Sequence, residues 1–333
     1  MIMRFILAGV AVVAVAGWPR SRVGAATALA VGALAGGIFA AAAAAAPMLV
    51  FLTAALGVAG LAERAGLADR AANALACAGR GRTRLLYALV CSVSALLTAL
   101  ISLDGAVVLM VPVVASLARR CRVSFAPFFL GVVCVANAAS LAIPEGNPTN
   151  LVVMSRLGLS AGAFLSHLLV PGVCAAVLCA LVSARRLDRR NYTIDSSEAT
   201  PASWRTYVPW RIGAQVIGLL AALQGLVPRI VSGGHGFAAL LLVAGGTAGI
   251  SALANNLPVS AAVAAFLTAG PGAYAALIGL TVGALATPHG SVATMIAGDL
   301  AGEDGELRVA LLAPAAALAV LSATLVLWIT LSY

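Results

Sequence analysis

Apolar runs of membrane-span length recur along the whole chain, separated by short breaks that carry most of the arginines. They predict spans near Phe5–Gly17, Val23–Phe39, Pro47–Leu61, Pro127–Ile143 continuing to Met154, and Ala161–Val182. Later spans are predicted near Ile212–Val227, Ala273–Leu285 continuing to Ala297, and Leu311–Leu331. The runs are continuous rather than alternating, which selects helices over a transmembrane barrel. An alanine run joins the second and third spans and leaves their boundary open. The first run, after Arg4, has no convincing cleavage site followed by a soluble domain, so it is expected to stay as a first helix.

Two stretches break the pattern in a different way. Between Arg84 and Arg119 an apolar segment is interrupted at "SLDGA" (Ser102–Ala106). Its return limb, read as Val107–Ala118, would cover about 18 Å, too short for a core of about 30 Å. A re-entrant hairpin with its tip at Asp104 is therefore expected. Gly236–Leu253 and Pro258–Ala269 likewise flank "ANNLP" (Ala254–Pro258), predicting a second hairpin that enters from the opposite side. Irregular backbone at such tips is tolerated where it is buried in protein or lines a wet cavity.

Each hairpin is followed by a span broken at a Pro-X-Gly cluster, "IPEGNPTNLVV" from Ile143 and "TPHGSVATMIA" from Thr287. The expected fold is thus an all-α polytopic membrane protein of two inverted repeats, each with a re-entrant hairpin and a broken helix, with about 8 full spans plus the two hairpins. The N-terminal repeat is read as 1–184, with three scaffold spans, a cytoplasmic-side hairpin at about 84–119, a broken helix at about 124–155 and a closing helix. A polar cytoplasmic linker follows at 185–206. The C-terminal repeat, 207–333, has its hairpin at about 236–269, its broken helix at about 272–298 and a final span.

Charge agrees with a membrane location. Only 9% of residues are charged, against about 25% in soluble domains. The net charge is +9 and every basic residue is Arg. Placing the clusters at 20–22, 64–84, 119–122 and 185–211 in the cytoplasm, with Arg308, leaves only Arg4, Arg156 and Arg229 outside. That asymmetry predicts both termini outside a cytoplasmic membrane. It also accounts for the basic charge without a nucleic-acid partner.

The breaks supply the candidate chemistry. Gly146 and Gly290 let the backbone leave the helix, and Pro144 and Pro288 each remove a donor. Asn147, Thr149, Asn150, Ser291 and Thr294 add side-chain donors and acceptors. Half-helix N-termini favour anions, and unwound carbonyls favour cations. Ser102 and Asp104 at the first tip, and Asn255 and Asn256 at the second, complete the set. Glu145 and His289 take equivalent positions in the two repeats and are expected to approach each other, either as a static buried hydrogen bond that holds the unwound segments in register or as a proton-carrying pair. The plain alternative is a set of structural kinks capped by Asn, Ser and Thr.

Other residues carry less. The six cysteines form no CxxC pair and read as small apolar residues unless three thiols converge. His167 reads as a hydrogen-bonded packing residue. The stretch from Glu63 to Arg70 reads as a solvated amphipathic face. Asp299, Glu303, Asp304 and Glu306 read as a solvated loop, since metal-ligand spacing is absent. No HExxH or GxSxG motif supports a membrane enzyme, and no cofactor is expected.

The motifs "SLDGAVVLMVPVV" (102–114), "ANAASLAIPEGNPTNLVV" (136–153), "SALANNLPVSAA" (251–262) and "TPHGSVAT" (287–294) resemble the ion transporter superfamily, near its arsenite permease and citrate-type permease branches. The resemblance implies a secondary transporter that moves a small anion or metalloid, coupled to H⁺ or Na⁺. Arsenite or antimonite efflux is narrowly preferred over a dicarboxylate or citrate-type substrate, and a homodimer is an admitted assembly. It also implies that Asp104 is the acidic tip position, Asn255 and Asn256 the second-tip pair, and Gly146–Asn150 and Gly290–Thr294 the unwound segments. The chain departs from the family at Leu103, where Asn is frequent, and at Glu145 and His289, where uncharged residues are frequent. Its second half has one span before the hairpin, where the first has three.

Overall fold

The computed structural model describes residues 2–188, 190–194, 209–223, 236–302 and 307–332. Most of the linker expected at 185–206 lies outside them, as do Glu303, Asp304 and Glu306. Every regular element among the described residues is helical.

In chain order these are α1 (Ile2–Gly17), α2 (Arg22–Ala35), α3 (Ile38–Arg64), α4 (Leu67–Ala78), α5 (Thr83–Leu100), α6 (Leu103–Cys121), α7 (Phe125–Ala139), α8 (Pro148–Leu157) and α9 (Ala161–Ser183). They continue with α10 (Trp210–Leu223), α11 (Phe237–Ala254), α12 (Asn256–Val263), α13 (Pro271–Val282), α14 (Val292–Ala301) and α15 (Val309–Ser332). Among the described residues, five stretches are long and apolar enough to cross a membrane: α3, α5, α9 with the turn after it, α11 and α15. Large apolar side chains such as Phe39, Val177, Leu181 and Leu242 remain exposed, as a surrounding hydrocarbon phase allows. The protein is a multi-pass membrane protein.

Two boundaries differ from expectation. The alanine run belongs wholly to α3, which continues through Pro47 for 27 residues. The real break is the pair Gly36–Gly37, both at positive φ (79° and 82°), a conformation glycine adopts without steric cost. The return limb of the first hairpin is also longer than the twelve residues read from the sequence. Ser102 caps the helix by accepting from the Gly105 N–H, so Leu103, Asp104 and Gly105 already belong to α6. The limb then runs 19 residues, about 28 Å, and the argument for re-entry from a short limb fails there. In the second hairpin the return limb α12 has only eight residues, about 12 Å, too short to cross.

The two broken helices occupy the centre. Residues 127–138 of α7 and 272–282 of α13 are buried without interruption. A helix apolar all round belongs inside a protein rather than at its surface. The other elements pack reciprocally around them. The hairpin limb α6 packs on α14, and the hairpin limb α12 packs on α8. α5 lies on α7 as α11 lies on α13, and the two closing helices α9 and α15 pack on each other. The scaffold helices α3 and α10 pack on α6 and α12 respectively. So each half delivers its hairpin limb to the half-helix of the other.

The amphipathic stretch after α3 forms α4, which lies on α6. Asp69 accepts a hydrogen bond from Ser116 and pairs with Arg120 at 3.6 Å, fastening α4 to the end of α6. His167 is a packing residue, as expected. Its Nδ1 lies 2.7 Å from Ala163 O, and its ring stacks on Tyr274 at 4.3 Å between centroids.

Candidate functional site

Four helices begin in the buried region where the halves meet, and each is capped by a residue singled out above. Ser102 caps α6. Asn147 Oδ1 accepts from Thr149 N (3.0 Å) at α8. Asn255 Oδ1 accepts from Leu257 N (3.3 Å) at α12. Ser291 Oγ accepts from Thr294 N (3.1 Å) at α14. The plain alternative therefore holds in part, since these oxygens do satisfy helix ends. Two of the caps sit in sparsely populated backbone regions, Ser102 at φ 150° and Asn255 at φ 68°, ψ 139°. Both are hairpin tips. Such strain costs about 1–3 kcal/mol and clusters at functional sites.

The breaks are joined across the halves by side chains. Ser291 Oγ donates to Asn137 Oδ1 (2.9 Å), and Asn137 Nδ2 donates to Thr294 Oγ1 (3.3 Å). In the reciprocal place, Thr281 Oγ1 donates to Asn150 Oδ1 (3.0 Å). Asn137 stands seven residues before Pro144, and Thr281 seven before Pro288. Asn150 and Thr294 each stand six after the same prolines. Each half-helix thus reaches the unbroken part of the other half through equivalent positions.

The network continues within each half. Asn150 Nδ2 donates to Ser140 O (2.8 Å) and Ile143 O (3.1 Å), while Asn147 Nδ2 donates to Ser140 Oγ (3.2 Å). In the second half, Asn255 Nδ2 donates to His289 O (2.9 Å) and the Asn256 N–H to Gly290 O (2.7 Å). These bonds take up the carbonyls that the breaks release. Asn137, Ser140 and Thr281 are thus central members that sequence reasoning left out. The seven-residue offset from each proline was the signal that could have found Asn137 and Thr281.

Three predicted positions behave differently. Asp104 is only 2% exposed, and its carboxylate makes no hydrogen bond or ion pair among the described residues. Thr149 Oγ1 and His289 Nε2 are buried polar atoms with no hydrogen-bond partner among the described residues. The expected Glu145–His289 pair does not form. Glu145 is exposed, His289 is buried, and no bond among the described residues joins them. The cause is local. The turn Pro144–Gly146 packs on α5 and α9, and the second break is held to the tip Asn255–Asn256. Each X of Pro-X-Gly therefore lies beside its own half, and residues after each glycine bond to the other half.

Apart from Asp104 and His289 the site is built of amides and hydroxyls, with the N-termini of α8 and α14 directed into it. Such a set binds oxygen-rich solutes through hydrogen bonds and helix-end charge. Among the described residues no three His, Cys, Asp or Glu side chains group as metal ligands. Cys91, Cys134 and Cys179 share the core of α5, α7 and α9 without forming such a group.

The Asn150–Thr281 bond gives a direct prediction. A double-mutant cycle of Asn150→Ala and Thr281→Val, read by unfolding in mixed micelles, should show a favourable coupling near 0.6 kcal/mol and below about 1.7 kcal/mol. Additive single effects would mean that the bond carries no energy.

The family model described as citrate transporter (CitMHS) matches residues 6–222, well over half of the chain. A protein of Dictyostelium discoideum named as transporter arsB is 28% identical over 112 residues, 33% of this chain and 20% of that protein. The silicon efflux transporter LSI3 of Oryza sativa is 35% identical over 135 residues, 40% of this chain and 27% of its own length. The human P protein is 25% identical over 161 residues, 46% of this chain and 19% of its own length. The matched regions therefore span about a fifth to a quarter of these relatives. With the family model covering most of the first half and the start of the second, the chain belongs to the citrate transporter family, within the ion transporter superfamily.

Proposed function

We propose that the protein is an ion-coupled secondary transporter of a small oxygen-rich anion or metalloid, with arsenite or antimonite efflux as its first substrate class. The observation that carries this is the reciprocal bonding of Asn137 with Ser291 and Thr294, and of Asn150 with Thr281. It brings two half-helix N-termini to one buried place. A solute there meets N–H donors, hydroxyls and two helix ends, which suits a small oxygen-coated species. Thr149 Oγ1 and His289 Nε2 supply unused hydrogen-bonding capacity nearby. Asp104 is the coupling group, taking H⁺ or Na⁺, and the repeats are inverted, with both termini outside.

A citrate-type substrate is the second reading, favoured by the family model. Against it, the described side chains of the buried network include no arginine to pair a carboxylate bidentately, though helix ends can replace one in part. Expression in an arsenite-sensitive host separates the two. Resistance to arsenite and antimonite is expected. Unchanged sensitivity, together with growth on citrate in a host lacking its own permease, would favour the second reading.

A further inference from the structure

A second cleft, away from the buried network, opens between α5 and α9. It encloses about 530 Å³. Arg84 stands in the first turn of α5 and Arg185 in the turn after α9, so both line the same end of the cleft. Both are exposed, and neither makes an ion pair or hydrogen bond with another described residue. Below them the walls turn apolar, with Ala88, Val177 and Leu181. Val177 and Leu181 are 53% and 60% exposed and face outward from the bundle. Tyr87 closes the floor by donating its hydroxyl to Ala180 O at 2.9 Å.

We propose that this cleft binds an anionic phospholipid of the cytoplasmic leaflet. Two guanidinium groups without a partner among the described residues, above an apolar trench, match a phosphate above an acyl chain, and Arg–phosphate pairs are strong and directional. The arginine asymmetry of the chain puts this end in the cytoplasm, where anionic lipid concentrates. A zwitterionic lipid fits less well because its own cation competes with the arginines for the phosphate. A soluble phosphate would meet the arginines but leave the trench uncovered. The lipid would sit between the first limb of the hairpin and the closing helix of the same half, tying two elements that otherwise meet through Tyr87 and few other contacts.

The test uses the full chain purified in mild detergent and exposed to equimolar dioleoyl phosphatidylglycerol and dioleoyl phosphatidylcholine. Native mass spectrometry then counts retained lipid. Phosphatidylglycerol should be retained preferentially, and Arg84→Gln with Arg185→Gln should lower that preference about thirtyfold, at roughly five- to sixfold per arginine. Arg156→Gln, at another end of the molecule, should leave it unchanged. Val177→Trp, which fills the trench and keeps both arginines, should also release lipid, and millimolar inorganic phosphate should not. Equal retention of the two lipids, or displacement by inorganic phosphate, overturns the proposal. So does a dimer that Val177→Trp dissociates, which would make the cleft a contact between two copies of the chain. Size-exclusion profiles identify any variant that fails to fold. If the double variant does, the trench and phosphate arms still decide.

Discussion

Asp104→Asn is expected to leave a folded membrane protein whose gradient-driven transport falls to the level of empty liposomes. The two side chains have nearly the same shape, so packing around α6 is preserved. The carboxylate is buried without a partner among the described residues, on a helix that packs on α14 at the second break. An ionisable group held in that way within a membrane protein is functional by default. Only the acid can exchange a proton or neutralise a bound cation; the amide offers a neutral oxygen and does neither. A purely structural role is available, because an acid in the first turn of α6 interacts favourably with the helix end. That role is worth only about 0.3–1 kcal/mol. It would show as a slightly lower melting temperature with coupled transport intact, and that outcome would reduce Asp104 to a helix-end charge.

Gly290→Ala should have the largest effect on the site's architecture. A Cβ at Gly290 would lie 1.9 Å from the carbonyl oxygen of Ala284, a backbone atom with no rotamer to change. The same residue accepts the Asn256 N–H through its own carbonyl. Any shift that relieves the clash therefore disturbs the contact between the second break and the second hairpin tip. Overpacking of this kind costs about 1–3 kcal/mol, and transport should be lost with it. Gly146→Ala meets Ser140 O at 2.8 Å and should be milder. Gly245→Ala has nothing within 4 Å and should be silent. Thermal unfolding followed by fluorescence-detected size exclusion ranks the three. A Gly290→Ala protein as stable and active as Gly245→Ala would contradict the packing described for the break.

What the sequence revealed, and what it hid, follows from how each feature writes itself in the chain. The broken helices were legible because Pro144, Gly146, Pro288 and Gly290 are rare breakers inside apolar runs, and backbone released by them must be satisfied nearby. The capping residues Asn147, Ser291 and Asn255 were legible for the same reason. Asn137 and Thr281 were not, since one polar residue within a long apolar span reads as incidental. Only their common offset from the prolines marks them. The first hairpin's return limb was misjudged because Asp104 and Gly105 look like a loop, although a helix capped at Ser102 accepts both in its first turn. The approach of Glu145 to His289 was inferred from symmetry alone. Symmetry makes positions equivalent without saying which of them face the axis. The local turns place these two beside their own halves.

Two half-helices meeting at one buried site, with Asp104 on the limb α6 that packs on α14, are proposed to move a solute at the expense of an ion gradient. Reconstituted protein in sealed liposomes tests it most directly, using radiolabelled arsenite and citrate in parallel with imposed H⁺ or Na⁺ gradients. One of these solutes is expected to accumulate above its outside concentration only while the ion gradient stands, and an ionophore collapsing the gradient should end the accumulation. Flux that merely equilibrates the solute, at the same rate with and without either gradient, would contradict it and describe a passive channel.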